Sequence, residues 1–442
     1  MKQLALWWVV WLGAGFASAQ APAVLPPDAT TPACTQDSVL YIDERPVGRS
    51  PSANFVFSVR PSVDTPFSSG RLIHKIGGEY RPAYIAPTHP FLRGENYKMQ
   101  AMKEGVSGHL KYAFQFHPGS DKDRLYGSAY QGIGMSRYTF FNADELGDPT
   151  AVYLLQGARI ARIGSRLSLN YEWNFGLSFG WNPYRATTNE FNKVIGSPVN
   201  AYLNTNFYLN WMFSRRFDLT AGLAFSHFSN GSTRLPNAGL NTIGAVFGLV
   251  YNMNREIDRY RLLPPLPGPA FERHMSYEAV LFGAWRRRGV QVGDSYLAAP
   301  GRYAVFGGSL AAMYNLGYKI RVGASLDLAR DGSANLYHCD DYIVGTTPAF
   351  LVPSFGRQVS MGLSAKVDYV MPYFTISLGF GGNVLHGGGN LEMFYQTLAL
   401  KIDLARNTFL HIGYSLRDFH SPNFLMLGFG YRFNNRTQTY RP

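Results

Sequence analysis

The residues best suited to chemistry lie in the stretch Ser226-His-Phe-Ser-Asn-Gly-Ser232, where His227 and Ser229 are two positions apart. Residues two apart in a β-strand project from the same face, so this imidazole and hydroxyl can act as general base and nucleophile. Asn241, fourteen residues after the histidine, is the candidate group that orients the imidazole. These residue types predict an ester hydrolase with a serine nucleophile.

Polar groups that follow the pair complete the predicted site. The backbone amides of Asn230 and Gly231, or the side chain of Asn237, are candidates for stabilising the oxyanion of an attacked ester. Arg234, in the same loop, is either a contact for a lipid phosphate or an ordinary solvated charge. His338-Cys-Asp-Asp341 contains metal-ligating residue types, but their adjacency along a loop suits one ion poorly. We therefore predict no metal and no cofactor.

Strict alternation of apolar and polar residues predicts the strands that position these groups. One face of the segment at 167–177 is apolar and the other is polar, including Glu172, and the pattern returns at 203–213 and 320–328. Apolar-out and polar-in alternation over about ten residues is typical of transmembrane strands. A soluble sandwich would turn its apolar face inward and carry more charge outside.

The same parity rule orients the candidate pair. In the strand that begins at Leu219, the apolar residues alternate up to Phe225, and continuing this parity turns His227 and Ser229 toward lipid. Polar groups that face hydrocarbon are costly unless they have a function. Asn241 shares the outward parity of the next strand, so antiparallel pairing would bring it beside His227. Glu172 faces the lumen by parity and is not expected to reach this site.

Sixteen segments carry strand signals. They begin near 72, 107, 126, 150, 166, 201, 218 and 240, and near 275, 302, 319, 358, 373, 393, 408 and 423. We predict an all-β, antiparallel transmembrane outer-membrane barrel. One barrel of about 14–16 strands is preferred over two tandem eight-stranded barrels, because a shared closed sheet leaves no edges.

The strand signals also suggest a division of the chain. The prediction is a first barrel half at 71–255, a Pro-rich periplasmic linker at 256–273 and a second half at 274–433, followed by a tail at 434–442. The halves resemble each other: Met212–Leu223 aligns with Asp403–Tyr414, and in that register His227 faces Asp418 and Ser229 faces His420. This predicts either a duplication in which one half kept the chemistry or the ordinary likeness of barrel strands.

The first residues and the composition predict where the chain works. Residues 1–19 read as a signal peptide, with Lys2, an apolar run and Ala-Ser-Ala at the end, and 20–70 as an irregular periplasmic segment. The net charge of +12 is scattered over loops, which disfavours a nucleic-acid partner and favours lipid phosphate. Cys34 and Cys339 are far apart in sequence, and their pairing is left open. We predict the outer membrane of a Gram-negative bacterium.

The motif resembles that of a known family. His227-Phe-Ser-Asn-Gly231, followed by Pro236-Asn-Ala-Gly239, is similar to the signature of the outer-membrane lipid A 3-O-deacylases, the PagL-like acyloxyacyl hydrolases. The resemblance implies hydrolysis of the ester-linked 3-hydroxyacyl chain of lipid A. It also implies Ser229 as nucleophile, His227 as base and Asn237 near the oxyanion.

One departure keeps alternatives open. The family places Glu fourteen residues after the histidine, where this chain has Asn241. Outer-membrane phospholipase A, which carries Asn at that distance, is a second resemblance, and calcium enters only under that alternative. The chain lacks that enzyme's Arg- and Ser-rich calcium segment and has Ser232-Thr-Arg-Leu-Pro-Asn237 instead, so lipid A in lipopolysaccharide is favoured over phospholipid. A non-enzymatic barrel or pore is the third hypothesis, and the oligomeric state is not predicted.

Overall fold

The computed structural model describes residues 72–117, 120–231, 233–255, 270–292, 295–299, 301–338, 350–388, 391, 393–417 and 421–436. The predicted signal peptide, Cys34, Cys339, Asp418 and His420 lie outside these residues, as does most of the Pro-rich linker. Within the described ranges, no helix has the length and apolar character needed to cross a membrane. Short helices, α1 (Pro90–Arg93) and α2 (Asp121–Tyr126), lie in loops of the first half.

The strands form two closed antiparallel barrels, each with eight strands. The first contains β1 (Ile73–Ile85), β2 (Glu104–Gln115), β3 (Tyr130–Thr139), β4 (Gly147–Arg162), β5 (Leu167–Trp181), β6 (Val199–Met212), β7 (Phe217–Ser229) and β8 (Leu240–Met253). Two further pairs, β10 (Gly289–Val292) with β11 (Ser295–Ala298) and β14 (Tyr337–His338) with β15 (Phe350–Leu351), form separate two-stranded sheets. The second barrel contains β9 (His274–Arg286), β12 (Tyr303–Asn315), β13 (Ile320–Asp331), β16 (Val359–Met371), β17 (Phe374–His386), β18 (Phe394–Asp403), β19 (Thr408–Arg417) and β20 (Ser421–Phe433).

The all-β, antiparallel prediction is confirmed, and each of the sixteen predicted strands begins within four residues of an observed barrel strand. The preference for one shared barrel was wrong, and the alternative of two eight-stranded barrels is observed. β1 pairs with β8 and β20 pairs with β9, so each half closes on itself. Two closed barrels have no edge strands, just as one large barrel has none. The absence of edges therefore does not distinguish one barrel of about 14–16 strands from two barrels of eight.

Inside the first barrel, charged and polar side chains fill the lumen as parity predicted. Glu172 is 1 % exposed, and both of its carboxylate oxygens lie 3.0 Å from Nζ of Lys111. Lys111 also pairs with Glu79, which pairs with Arg81. Outward residues such as Leu110, 66 % exposed, form the apolar wall. An eight-stranded barrel has an interior that side chains can fill, so this network takes up the space a channel would need.

At the end of the first barrel that carries the longer loops, an aromatic cluster closes the lumen. Tyr138, Trp181, Tyr202 and Phe228 pack together with loop residues such as Phe91, and all five are buried. Short turns lie at the opposite end, between β4 and β5 and between β6 and β7. Outer-membrane barrels place short turns in the periplasm and longer loops outside, which makes the end with the aromatic cluster the extracellular one. β7 ends there, at Ser229.

Candidate active site

β7 and β8 bring the three candidate catalytic residues together. The register of this strand pair sets His227 directly opposite Asn241. Nδ1 of His227 lies 2.7 Å from Oδ1 of Asn241, and Nε2 lies 3.0 Å from Oγ of Ser229. Because an amide oxygen only accepts, the proton sits on Nδ1, and the Nε2 lone pair is left to accept the serine hydroxyl. The imidazole is therefore arranged to take a proton from Ser229.

Phe228 lies between the two candidate catalytic residues on β7 and packs this end of the strand against the barrel interior. Its side chain points into the barrel, where it is 0 % exposed. Its ring lies 5.0 Å from that of Trp181, 5.1 Å from that of Tyr138 and 5.2 Å from that of Tyr202, measured between centroids. An inward anchor between two outward polar residues limits the motion of both, because successive side chains share one backbone.

Gly239 lets the loop after β7 fold back over the imidazole. It has a φ of +76°, and a Cβ at this position would lie 2.9 Å from Cε1 of His227. Its backbone N–H donates to the carbonyl of Val194 at 3.0 Å, and the N–H of Ala238 donates to that of Lys193 at 3.2 Å. The β5–β6 connection thus supports the end of the loop, and only a glycine fits against the ring in this left-handed conformation.

The first residues of the loop form a compact turn beside Ser229. The backbone N–H of Asn230 donates to Oδ1 of Asn237 at 3.1 Å, and the Asn230 side chain donates to the carbonyl of Arg234 at 2.9 Å. Since Oδ1 of Asn237 is held by this bond, its NH₂ group is directed elsewhere and can donate to another acceptor. Gly231 follows with a φ of +62°. The Arg234 side chain is exposed.

The site lies at the rim of the lipid-facing wall. Asn241 has the outward parity of Ile243 and Phe247, which are 46 % and 54 % exposed, yet Asn241 itself is only 8 % exposed. His227 and Ser229 are half-buried. The loop covers one side of the imidazole, and His227 and Ser229 stay partly exposed on the outward face of β7.

Two other sequence candidates stand apart from this site. Glu172 lies in the lumen, where Tyr130 donates to it at 2.8 Å, as parity predicted. The stretch at 339–341, with Cys339 and two aspartates, lies outside the described residues. Among the residues that are described, no group of three or more histidine, cysteine, aspartate and glutamate side chains is arranged to hold a metal ion.

Sequence reasoning did not single out Phe228 or Gly239. Parity already places Phe228 on the inward face, so its role as an anchor was accessible from the alternation. Gly239 belongs to the quoted Pro-Asn-Ala-Gly stretch, but its contact with His227 depends on the path of the loop, which the sequence does not specify.

Comparisons with known families match both barrels. A family model described as "Lipid A 3-O-deacylase (PagL)" matches residues 106–250, which include His227, Ser229 and Asn241. A second, described as "Acyloxyacyl hydrolase, C-terminal domain", matches residues 275–435, which include nearly all of the second barrel. Together they cover most of the chain. The chain belongs to the PagL family of lipid A 3-O-deacylases.

Membership in the PagL family assigns the protein to the lipid A deacylases, hydrolases of lipopolysaccharide at the outer membrane. The family resemblance seen in the motif is thereby confirmed. The second barrel corresponds to the C-terminal domain that the second family model describes.

Similar solved structures are outer-membrane proteins. Neisserial surface protein A (NspA) is 7 % identical, with 41 % of this chain and 97 % of that chain covered and a TM-score of 0.27. The FrpB iron transporter from Neisseria meningitidis is 12 % identical, with 81 % and 69 % covered and a TM-score of 0.18. The outer membrane protein Omp33 of Acinetobacter baumannii is 6 % identical, with 82 % and 98 % covered and a TM-score of 0.15. A search of curated proteins finds no match.

Proposed function

We propose that the protein removes the ester-linked 3-hydroxyacyl chain of lipid A through Ser229, His227 and Asn241 on the lipid-facing wall of the first barrel. The observation that carries this proposal is the pair of hydrogen bonds made by His227, 3.0 Å to Ser229 and 2.7 Å to Asn241. A nucleophile bonded to a base, which is in turn bonded to an orienting group, is the arrangement that activates a serine.

In the first half of the reaction, Oγ of Ser229 attacks the ester carbonyl while Nε2 of His227 takes the hydroxyl proton. Oδ1 of Asn241 accepts a hydrogen bond from Nδ1–H of His227, which holds the imidazole in the reactive tautomer as it becomes charged. The tetrahedral intermediate then collapses. The bond between the carbonyl carbon and the sugar 3-oxygen breaks, His227 gives the proton to that oxygen to form the 3-hydroxyl, and the acyl group stays on Ser229.

The second half releases the fatty acid. A water molecule attacks the acyl-serine, with His227 again as the base, and Ser229 is regenerated as the 3-hydroxy fatty acid leaves. In both halves the oxyanion needs donors close to Ser229. The NH₂ group of Asn237 and the backbone N–H of Gly231 are the proposed donors, because the Asn230 N–H is already bonded to Asn237.

The place of the site in the barrel suits a lipid A substrate. β7 carries the nucleophile at its extracellular end, and lipid A occupies the outer leaflet of the outer membrane. The exposed Arg234 is proposed to contact a lipid A phosphate.

We further propose that residues 1–19 direct export of the chain in a Gram-negative bacterium.

Phospholipid is the second candidate substrate. Asn241 favours phospholipid, because outer-membrane phospholipase A also carries Asn at this distance from its catalytic histidine, and this chain resembles it there. Both substrates present an acyl ester at the membrane surface, so the same three side chains can serve either reaction.

The experiment that tests the proposal uses the purified full chain in detergent micelles with lipid A or with phosphatidylethanolamine. We expect mass spectrometry to show lipid A lighter by one 3-hydroxyacyl group, with equal rates in calcium and in EDTA. The His227→Ala variant should give no product. Release of fatty acid only from phosphatidylethanolamine, and only with calcium, would support the second candidate and contradict the first.

A further inference from the structure

The two barrels meet along faces that would otherwise contact lipid. Trp173 of β5 packs edge-on against Phe374 of β17, with 5.0 Å between ring centroids. Its indole N–H donates to Gln156, an outward residue of β4 that is 0 % exposed. On walls away from this contact, Leu110 and Leu281 are 66 % and 75 % exposed. A buried outward glutamine therefore marks a face that the second barrel covers in place of lipid.

The same contact reaches the catalytic loop. Tyr414 of β19 belongs to the second barrel, and its hydroxyl donates to the backbone carbonyl of Gly231 at 2.7 Å. Gly231 lies two residues beyond Ser229 and adopts a φ of +62°. A Cβ added at Gly231 would lie 3.3 Å from the Tyr414 ring. The second barrel thus touches the first barrel at the turn that follows the nucleophile.

The hydrogen bond from Tyr414 to the Gly231 carbonyl limits the motion of the turn that follows Ser229. Glycine populates left-handed and right-handed conformations about equally, so Gly231 is a point at which the turn can change shape. Asn237 holds the turn from one side through the Asn230 N–H. Tyr414 holds it from the other side, and its ring is rigid enough to transmit the position of the second barrel to the turn.

We propose that the second barrel forms one wall of the active site and that Tyr414 is a positioning residue. It holds Gly231 so that the oxyanion donors stay next to Ser229. This inference rests on the proposed esterase mechanism and deepens it, since it gives the second barrel a part in the reaction. Tyr414 acts through Gly231 and does not touch the reacting atoms.

The test compares Tyr414→Phe with Tyr277→Phe in the full chain, with lipid A as substrate. Tyr414→Phe removes only the hydroxyl and keeps the ring that packs between the barrels. We expect kcat to fall about fivefold, the scale of one lost hydrogen bond, with KM unchanged. Tyr277 lies on the outward face of β9 and is 50 % exposed, so its variant should match wild type. The heat-induced mobility shift on gels should be the same for both.

A double variant separates positioning from simple barrel docking. If Tyr414 acts through the oxyanion donors, Tyr414→Phe should cost much less in an Asn237→Ala background than in the wild type. Equal kcat values for Tyr414→Phe and Tyr277→Phe, a change confined to KM, or full additivity with Asn237→Ala would each overturn the inference. Activity that survives Ser229→Ala would instead overturn the proposed mechanism, so the two failures are distinguishable.

Discussion

Nδ1 of His227 lies 2.7 Å from the side-chain oxygen of Asn241, across the β7–β8 strand pair. The two residues are direct partners in the register, so the sheet itself sets their separation. The family resemblance leads one to expect Glu at this position. The amide oxygen of Asn241 accepts the same hydrogen bond and so fixes the same tautomer of His227. Because it carries no charge, it stabilises the imidazolium less than a carboxylate does.

The Asn241 side chain is therefore the first target for substitution. We expect Asn241→Ala to lower kcat by about 100-fold, because the imidazole loses the group that orients it. Asn241→Asp keeps an acceptor oxygen and adds a charge that stabilises the imidazolium, so it should retain most of the activity. Initial rates on lipid A test both variants, and an aspartate variant as inactive as the alanine variant would contradict this role.

The alternation of residue types predicted much of this site. It gave the outward direction of His227 and Ser229, the lumen position of Glu172 and the pairing of His227 with Asn241, because strand parity and antiparallel register are local rules. It did not predict the hydrogen bond from the Asn230 N–H to the side chain of Asn237. That bond depends on a turn in which residues seven apart meet, and turn geometry is not periodic.

Gly239 tests how tightly the loop fits the imidazole. Gly239→Ala places a methyl group 2.9 Å from Cε1 of His227 and adds strain at a φ of +76°. We expect most of the activity to be lost. Gly388→Ala is the matched control, since Gly388 has a φ of +73° and nothing lies within 4 Å of its added Cβ. Gly388→Ala should keep wild-type activity, and equal activities of the two variants would contradict a tight fit of the loop against His227.

Phe228 links the stability of the barrel end to the geometry of the site. Phe228→Ala should lower the free energy of unfolding by about 3–5 kcal/mol, because it empties a fully buried ring position. Activity should fall as well, since His227 and Ser229 flank the cavity. Leu223→Ala, on the lipid face and 54 % exposed, should change both quantities little. Urea unfolding followed by the gel mobility shift measures stability. A Phe228→Ala variant with wild-type stability and full activity would contradict the anchoring role.

Asn237 tests the proposed oxyanion donor. Asn237→Ala should reduce kcat by about 10²–10³-fold with little change in KM, because a donor to developing charge acts mainly in the transition state. Asn237→Asp should be equally impaired, since a carboxylate repels the oxyanion. Steady-state kinetics on lipid A decides this, and a change in KM alone would argue for a role in substrate binding.

The closure of the barrels could not be predicted from local patterns. Whether the last strand of the first half returns to Ile73–Ile85 or continues into His274–Arg286 depends on pairing between residues far apart in sequence. Both solutions bury the same alternating faces. The contact between Tyr414 and Gly231 was inaccessible for the same reason, because it requires the relative placement of two closed sheets.

The most direct test of the mechanism compares two serines on β7. Ser229 lies 3.0 Å from His227, whereas Ser226 points into the lumen and donates to Asn204 at 2.9 Å. Lipid A would be extracted from membranes that contain the wild type, Ser229→Ala or Ser226→Ala at equal levels and analysed by mass spectrometry. We expect loss of one 3-hydroxyacyl group with the wild type and with Ser226→Ala, and intact lipid A with Ser229→Ala. Deacylated lipid A in the Ser229→Ala membranes would contradict the account.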